Sequence, residues 1–175
     1  MKKNVNVKRI DIFEFDVSSI RAFLRELSEE KKTEIISRAD KAINGVVTGF
    51  SSIELDYGSP INWHLNPLTG VESRKDDKWY QIPDFDAELG DIKVVWEASR
   101  FTHFFYFVRA YLLTDDKKYY DAFSIQLEDW LESNPYPYGA NFKCGQECTL
   151  RMVNALMLIR YLRIAELYQR MIKRT

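Results

Sequence analysis

The chain has 175 residues, 46% of them apolar, enough for the core of one domain, or for part of a larger protein. Its formal net charge is −1, so no global field draws it to nucleic acid or to an anionic membrane. Four Trp, ten Tyr and eleven Phe supply more aromatic surface than helix packing alone requires, leaving some free to stack on a ligand.

The opening, MKKNVNVKRIDIFEF, is basic but has no apolar h-region. No secretory signal is read there, so the expected compartment is the cytoplasm, or the periplasm if the true start lies upstream. Residues 17–27 (VSSIRAFLREL) suit a short amphipathic helix with Asp16 as its N-cap. Residues 29–44 suit a second, which Gly45 stops. Residues 50–56 (FSSIELD) alternate and fit one short strand.

All five prolines (Pro60, Pro67, Pro83, Pro135 and Pro137) fall within 57–90 and 134–146. Proline has no amide donor and breaks helix interiors, so both stretches are expected to be loops. The spacing predicts one continuous helix over 92–113, with Phe101, Phe105, Val108 and Leu112 on one face and Trp96, Arg100, His103 and Phe107 on another. Such a helix is buried on two sides. Its apolar run Phe104–Val108 is too short to span a bilayer, and Arg109 follows it. Thr114-Asp115-Asp116 then offers a tight turn and an N-cap. Residues 117–133 run back as the second arm of an antiparallel hairpin, with Tyr120, Phe123, Leu127, Trp130 and Leu131 inward. Ser133-Asn134-Pro135 ends that helix. A last helix, 147–173, is expected to carry Leu150, Val153, Met157, Tyr161, Ile164, Tyr168 and Met171 as one apolar stripe.

Successive antiparallel hairpins place every second loop at the same end. Loops 57–90 and 134–146 each precede a helix running in the same sense, so they should meet at one rim. Both are long for helix–helix connections, and long ordered loops are often functional. That rim is the expected cleft.

Three constellations have chemistry suited to a cleft. In Ile61-Asn62-Trp63-His64-Leu65-Asn66-Pro67-Leu68-Thr69-Gly70, an indole and an imidazole sit beside amides; they either face a sugar or plug the core above a rigid turn. Trp96, Glu97, Arg100 and His103 form the second. Glu97 and Arg100 either pair with each other, or Arg100 grips a sugar carboxylate through two parallel hydrogen bonds. His103 is either a general base or a hydrogen-bonded core histidine. The third is Asn141, Lys143 and Gln146, just before a helix N-terminus that favours anions, followed by Glu147 and Arg151 at the spacing of a helical ion pair.

There is no G-x-S-x-G, P-loop or G-x-G-x-x-G, and no carboxylate pair stands out. Cys144 and Cys148 are four apart, but with only His64 and His103 to join them a zinc site would need an unusual ligand set. They read as two half-buried thiols; no metal and no cofactor are expected.

With these residues in view, the sequence resembles the N-terminal helical domain of the heparinase II/III-like polysaccharide lyases. The resemblance is carried by INWHLNPLTG (61–70), ELGDIKVVWEASRFTHF (88–104), RAYLLTDDKKYYDAF (109–123), DWLESNPYPYGANF (129–142) and GQECTLRMVNAL (145–156). It implies an incomplete (α/α) toroid, on which larger enzymes carry a β-sandwich region. It also implies β-elimination on uronic-acid polysaccharides. There a polar side chain such as Asn neutralises the uronate carboxylate, a Tyr or His removes the adjacent proton, and a Tyr or His protonates the leaving oxygen. The family's Asn-His pair lies beyond the part that looks like 145–161 here, and this chain has no Asn-His dipeptide, so no catalytic residue is carried over. The resemblance assigns Trp63, His64, Trp96, Glu97, Arg100, Asn141, Glu147 and Arg151 to the substrate cleft or its scaffold.

The expected fold is therefore all-α, a single incomplete (α/α) toroid segment spanning 1–175, with one short β element near 50–56. The expected function is the N-terminal part of a polysaccharide lyase, inactive alone and forming one wall of the cleft. Its expected partners are an acidic polysaccharide or oligosaccharide and either a missing C-terminal region or a second copy covering the last helix. A glycoside hydrolase on a similar helical barrel and a non-enzymatic sugar-binding or helical interaction module are the other readings.

Overall fold

A computed structural model describes residues 16–172, with side chains through Arg163. The expectation of no signal segment in the opening residues lies outside the described residues, as do the stripe positions Ile164, Tyr168 and Met171. Six helices dominate: α1 (Val17–Glu26), α2 (Glu29–Ile43), α3 (Ile92–Ser99), α4 (Phe104–Thr114), α5 (Lys117–Ser133) and α6 (Gly145–Ile172). The β content exceeds the one strand expected. Among the described residues it comprises three two-stranded antiparallel pairs: β1 (Val46–Gly49) with β2 (Ile53–Asp56), β3 (Leu65–Asn66) with β4 (Val71–Glu72), and β5 (Phe85–Asp86) with β6 (Gly90–Asp91). The stretch expected as one strand at 50–56 is a turn followed by β2.

Local chemistry sets most helix ends. Asp16 caps α1 by accepting from the Ser18 amide at 2.9 Å, and the Ser28 hydroxyl accepts from the Lys31 amide to start α2. Gly45, at φ +81°, turns the chain out of α2 into β1, and its carbonyl accepts from the Tyr57 amide at 3.0 Å. Asp115 adopts the left-handed conformation between α4 and α5, and Asp116 caps α5 through the Lys118 amide. Arg21 of α1 pairs with Asp115 at 2.7 Å, tying the first helix to this turn.

α4 is the hub, packing on α1, α2, α5 and α6. The main core gathers Trp63, Phe101, Phe104, Phe107, Tyr111, Phe123, Trp130, Leu158 and Leu162 around it. A second, smaller core of Ile82, Leu89, Ile92, Val95, Trp96 and Ala140 joins the two proline-bearing loops to α3.

Two expectations need correction. The helix over 92–113 is interrupted: α3 ends at Ser99, Phe101 takes φ +59°, and α4 begins at Phe104. The aromatic rings explain the break, because the left-handed step lets Phe101 stack on Phe104 (4.7 Å between centroids) and set its edge toward Trp63 and Trp130. On α5, Leu131 points outward at 61% exposure, while Tyr119 and Gln126 take inward places. On α6 the expected apolar stripe is exposed near the helix start, and polar residues take the inner face there. Leu150 and Val153 are exposed, whereas Glu147, Arg151, Leu158 and Leu162 face the core. The polar pair occupies the inner face because the α3–α4 break offers it unpaired backbone and charged partners.

Candidate functional site

The break between α3 and α4 leaves the Ser99 and Arg100 carbonyls outside any helical ladder, and α6 supplies their partners. The Arg151 Nε donates to the Ser99 carbonyl at 2.7 Å, and the Asn154 side-chain amide donates to the Arg100 carbonyl at 2.8 Å. Arg151 also donates to the Asn141 carbonyl at 3.0 Å and lies over the Trp130 ring. The expected Glu147–Arg151 helical pair is therefore replaced. Glu147 takes the Arg100 guanidinium in a two-pronged contact (Nε to Oε2 2.6 Å, Nη2 to Oε1 2.7 Å), and Glu97 takes the third prong at Nη1. The Glu147 bonds raise the guanidinium further above its ordinary range.

The two loops do meet, but they meet inside the protein. The Asn141 side-chain amide donates to the Trp63 carbonyl at 3.0 Å and to the Asn134 Oδ1 at 2.8 Å. Trp63 is buried among Phe101 and His103, and its indole donates to Asp129 at 2.6 Å. His64 is buried against the Ser133 carbonyl at 3.1 Å, and burial pulls its pKa below the usual value. Trp96 donates its indole N–H to the Ala140 carbonyl at 2.9 Å. Of the eight expected site residues, Trp63, His64, Trp96, Asn141, Glu147 and Arg151 thus form an interior polar network that fixes the loops to the helices.

Glu97 and Arg100, by contrast, line an open cavity. They form one side of a cavity of about 530 Å³, completed by Arg38, Thr48, Phe50, Ser51, Thr102, Phe105, Tyr106 and Arg109. Its position differs from the expected rim: it lies between α2, the β1–β2 turn and α4. Three arginines and one carboxylate are among its lining residues, with Arg100 paired to Glu97 and Glu147. Arg38 donates to the Tyr106 hydroxyl at 2.8 Å and also pairs with Glu34 at 2.7 Å. The Tyr106 ring is flanked by the guanidinium groups of Arg38 and Arg109, whose Cζ atoms lie 5.3 and 5.7 Å from its centre. Arg109 has no carboxylate partner among the described residues. The lining thus sets guanidinium groups beside aromatic surface, with Arg109 the arginine that lacks a carboxylate partner among the described residues.

A protein-family model described as Heparinase II/III N-terminus matches residues 5–172. The chain belongs to that family. No match is found among curated proteins. Among solved structures, the heparan sulfate lyase HepC from Pedobacter heparinus aligns with 17% identity and a TM-score of 0.43. That alignment covers 78% of this chain and 20% of the lyase, so the chain spans about a fifth of that enzyme's length.

Sequence reasoning passed over Arg38, Phe50, Tyr106 and Arg109. Arg109 did carry a signal, as a charge set between Val108 and Ala110 in the apolar helix α4. Arg38 and Phe50 carried none, since their position depends on how α2 and the β1–β2 turn fold back against the helix break. His103 does not line the cavity; it is enclosed, with Nε2 3.0 Å from the Gln126 side-chain Oε1, and burial pulls its pKa down to about 4. Among the described residues no group of three His, Cys, Asp or Glu side chains is placed to hold a metal ion, and no helix is long and apolar enough to cross a membrane.

Proposed function

We propose that this chain is the N-terminal part of a polysaccharide lyase that cleaves uronic-acid polysaccharide by β-elimination, and that it contributes a substrate-binding wall rather than the reacting groups. Membership of the heparinase II/III N-terminus family supports the lyase assignment. The single observation that carries the binding role is the cavity that sets Arg109, without a carboxylate partner among the described residues, beside Arg38, Phe50 and Tyr106. In this proposal the helices form an incomplete (α/α) toroid. Arg109 and Arg38 hold carboxylate or sulfate groups of the glycan, while Arg100 and Glu97 shape the floor. Trp63, His64, Trp96, Asn141, Glu147 and Arg151 act from behind as positioning groups.

β-Elimination needs a base for the proton next to the uronate carboxylate and an acid for the leaving oxygen. His64 and His103 are buried and held neutral, and neither lines the cavity, so this wall does not supply a histidine base. The cavity lining does include Tyr106, whose hydroxyl accepts from Arg38; the proposal assigns it to binding, and we expect the chain to bind without turning over.

Calorimetric titration with an acidic tetrasaccharide of alternating uronic acid and hexosamine, and with a neutral oligosaccharide of equal length, tests the binding role. Only the acidic chain should bind, more weakly as salt rises, and Arg109→Ala should lower its affinity about fivefold. Equal binding of the neutral sugar, or no binding of the acidic one, would overturn the proposal. Release of an ultraviolet-absorbing unsaturated uronate by this chain would overturn the non-catalytic assignment.

A further inference from the structure

At the mouth of the arginine cavity, β1 and β2 are joined by a turn at Gly49–Ser52 closed by the Ser52 amide donating to the Gly49 carbonyl at 3.1 Å. Both central residues have positive φ: Phe50 at +47° and Ser51 at +70°. Turns of this kind favour Asn-Gly, because a side chain in the left-handed region is disfavoured and a bulky one most of all. Phenylalanine is thus a poor choice for folding this turn. Packing does not explain it either, since the side chain remains 43% exposed.

The surroundings are arranged to hold the turn in this state. The buried Glu97 carboxylate accepts the Phe50 amide at 3.2 Å while also accepting from Arg100. Gly49 has no side chain to obstruct this contact; a Cβ there would lie 3.2 Å from the Glu97 Cγ and 2.5 Å from the Leu55 Cδ1. A buried charge, a glycine and a strained backbone all serve to present one aromatic ring at a cavity edge. Local rules broken in this concerted way mark function more often than accident. The ring shares the cavity wall with Phe105, Tyr106, Arg38 and Arg109.

We propose that Phe50 is a stacking platform that makes this cavity specific for a pyranose ring bearing an acidic group, its apolar face on Phe50 and its acid on Arg109 and Arg38. A free anion would need the arginines alone, and a purely apolar ligand would need only the rings; the combination fits an acidic sugar. This inference rests on the acidic-glycan assignment of the cavity.

The test uses the full chain, titrated with the same acidic tetrasaccharide and separately with sodium sulfate. Phe50→Gly should weaken the tetrasaccharide about tenfold and leave any Arg109-dependent sulfate binding unchanged. Its thermal midpoint should equal or exceed that of the parent, because glycine accepts the positive φ without strain. Phe50→Leu keeps the bulk without the aromatic face and should show the same loss of sugar affinity, which covers the case in which the glycine variant folds poorly. Parent-like tetrasaccharide binding by Phe50→Leu would overturn the platform, while a loss on Arg109→Ala in the same assay would leave the acidic-glycan assignment standing. Failure of the parent chain to bind the tetrasaccharide would overturn both.

Discussion

Acidification should destabilise this fold through His103, by an amount that can be worked out. The imidazole is enclosed by Phe104 at 4.5 Å and Phe107 at 5.8 Å between centroids. The Gln126 side-chain amide N–H donates to the Ala42 carbonyl at 2.9 Å, which turns its oxygen toward His103 and fixes Nε2 as the donor. Nδ1 is buried with no partner among the described residues, so protonating it would place an unpaired charge in the core. Burial lowers the folded pKa from 6.5 to about 4, so the unfolded chain takes up the proton first. The contribution is present in full above pH 6.5 and is lost as pH falls toward 4. At roughly 1.4 kcal/mol per pH unit the full loss is about 3 kcal/mol, with about 2 kcal/mol gone by pH 5. Urea unfolding of the parent and of His103→Gln at pH 7 and pH 5 isolates the effect, because the other titrating groups cancel in the comparison. The parent should lose about 2 kcal/mol more than the variant between the two conditions. Equal losses would show that His103 is reachable by solvent, and the reasoning about its burial would be refuted.

Two further outcomes follow from the geometry. Glu147→Ala removes both prongs of the Arg100 contact and leaves Glu97 alone to neutralise it. Breaking a buried pair costs about 3–5 kcal/mol, reduced to about 2–3 here because Arg100 has access to the cavity; chemical denaturation at neutral pH measures it, and a loss below about 0.5 kcal/mol would mean that solvent screens the pair. Gly45→Ala forces a side chain into the left-handed region and sets its Cβ 1.8 Å from the Gly58 carbonyl oxygen, a backbone atom with little room to yield. The conformation alone costs about 1–2 kcal/mol and the collision adds to it, so the thermal midpoint should fall by about 8 °C or more; an unchanged midpoint would place Gly45 in open space.

Element boundaries set by short-range chemistry were legible in the sequence. Asp16 and Asp116 act within three residues of themselves, and Gly45 acts on its own φ. What failed to show depends on distant partners. A continuous helical period over 92–113 hides the interruption at Phe101, because the break is favoured by ring contacts with Trp63 and Trp130 that the period does not record. The inner face of α6 was not legible for the same reason: the unpaired carbonyls of Ser99 and Arg100 draw Arg151 and Asn154 to it and leave Leu150 and Val153 of the apolar stripe exposed. Of the eight expected site residues, the sequence picked the charged pair Glu97 and Arg100 that reaches the cavity, but could not separate it from the six that hold the loops from within. Polar and aromatic residues near helix starts look alike in sequence whether they face a ligand or a backbone carbonyl.

The dependence of the α3–α4 junction on α6 has a consequence for how the protein is made. The carbonyls of Ser99 and Arg100 and the guanidinium of Arg100 find their partners in Glu147, Arg151 and Asn154, about fifty positions later in the chain. During synthesis the junction must wait, hydrated and unsettled, until those residues leave the ribosome. The Arg100 side of the cavity is therefore one of the last features to settle, and a chain terminated before Gly145 would lack the Glu147 contact that holds it.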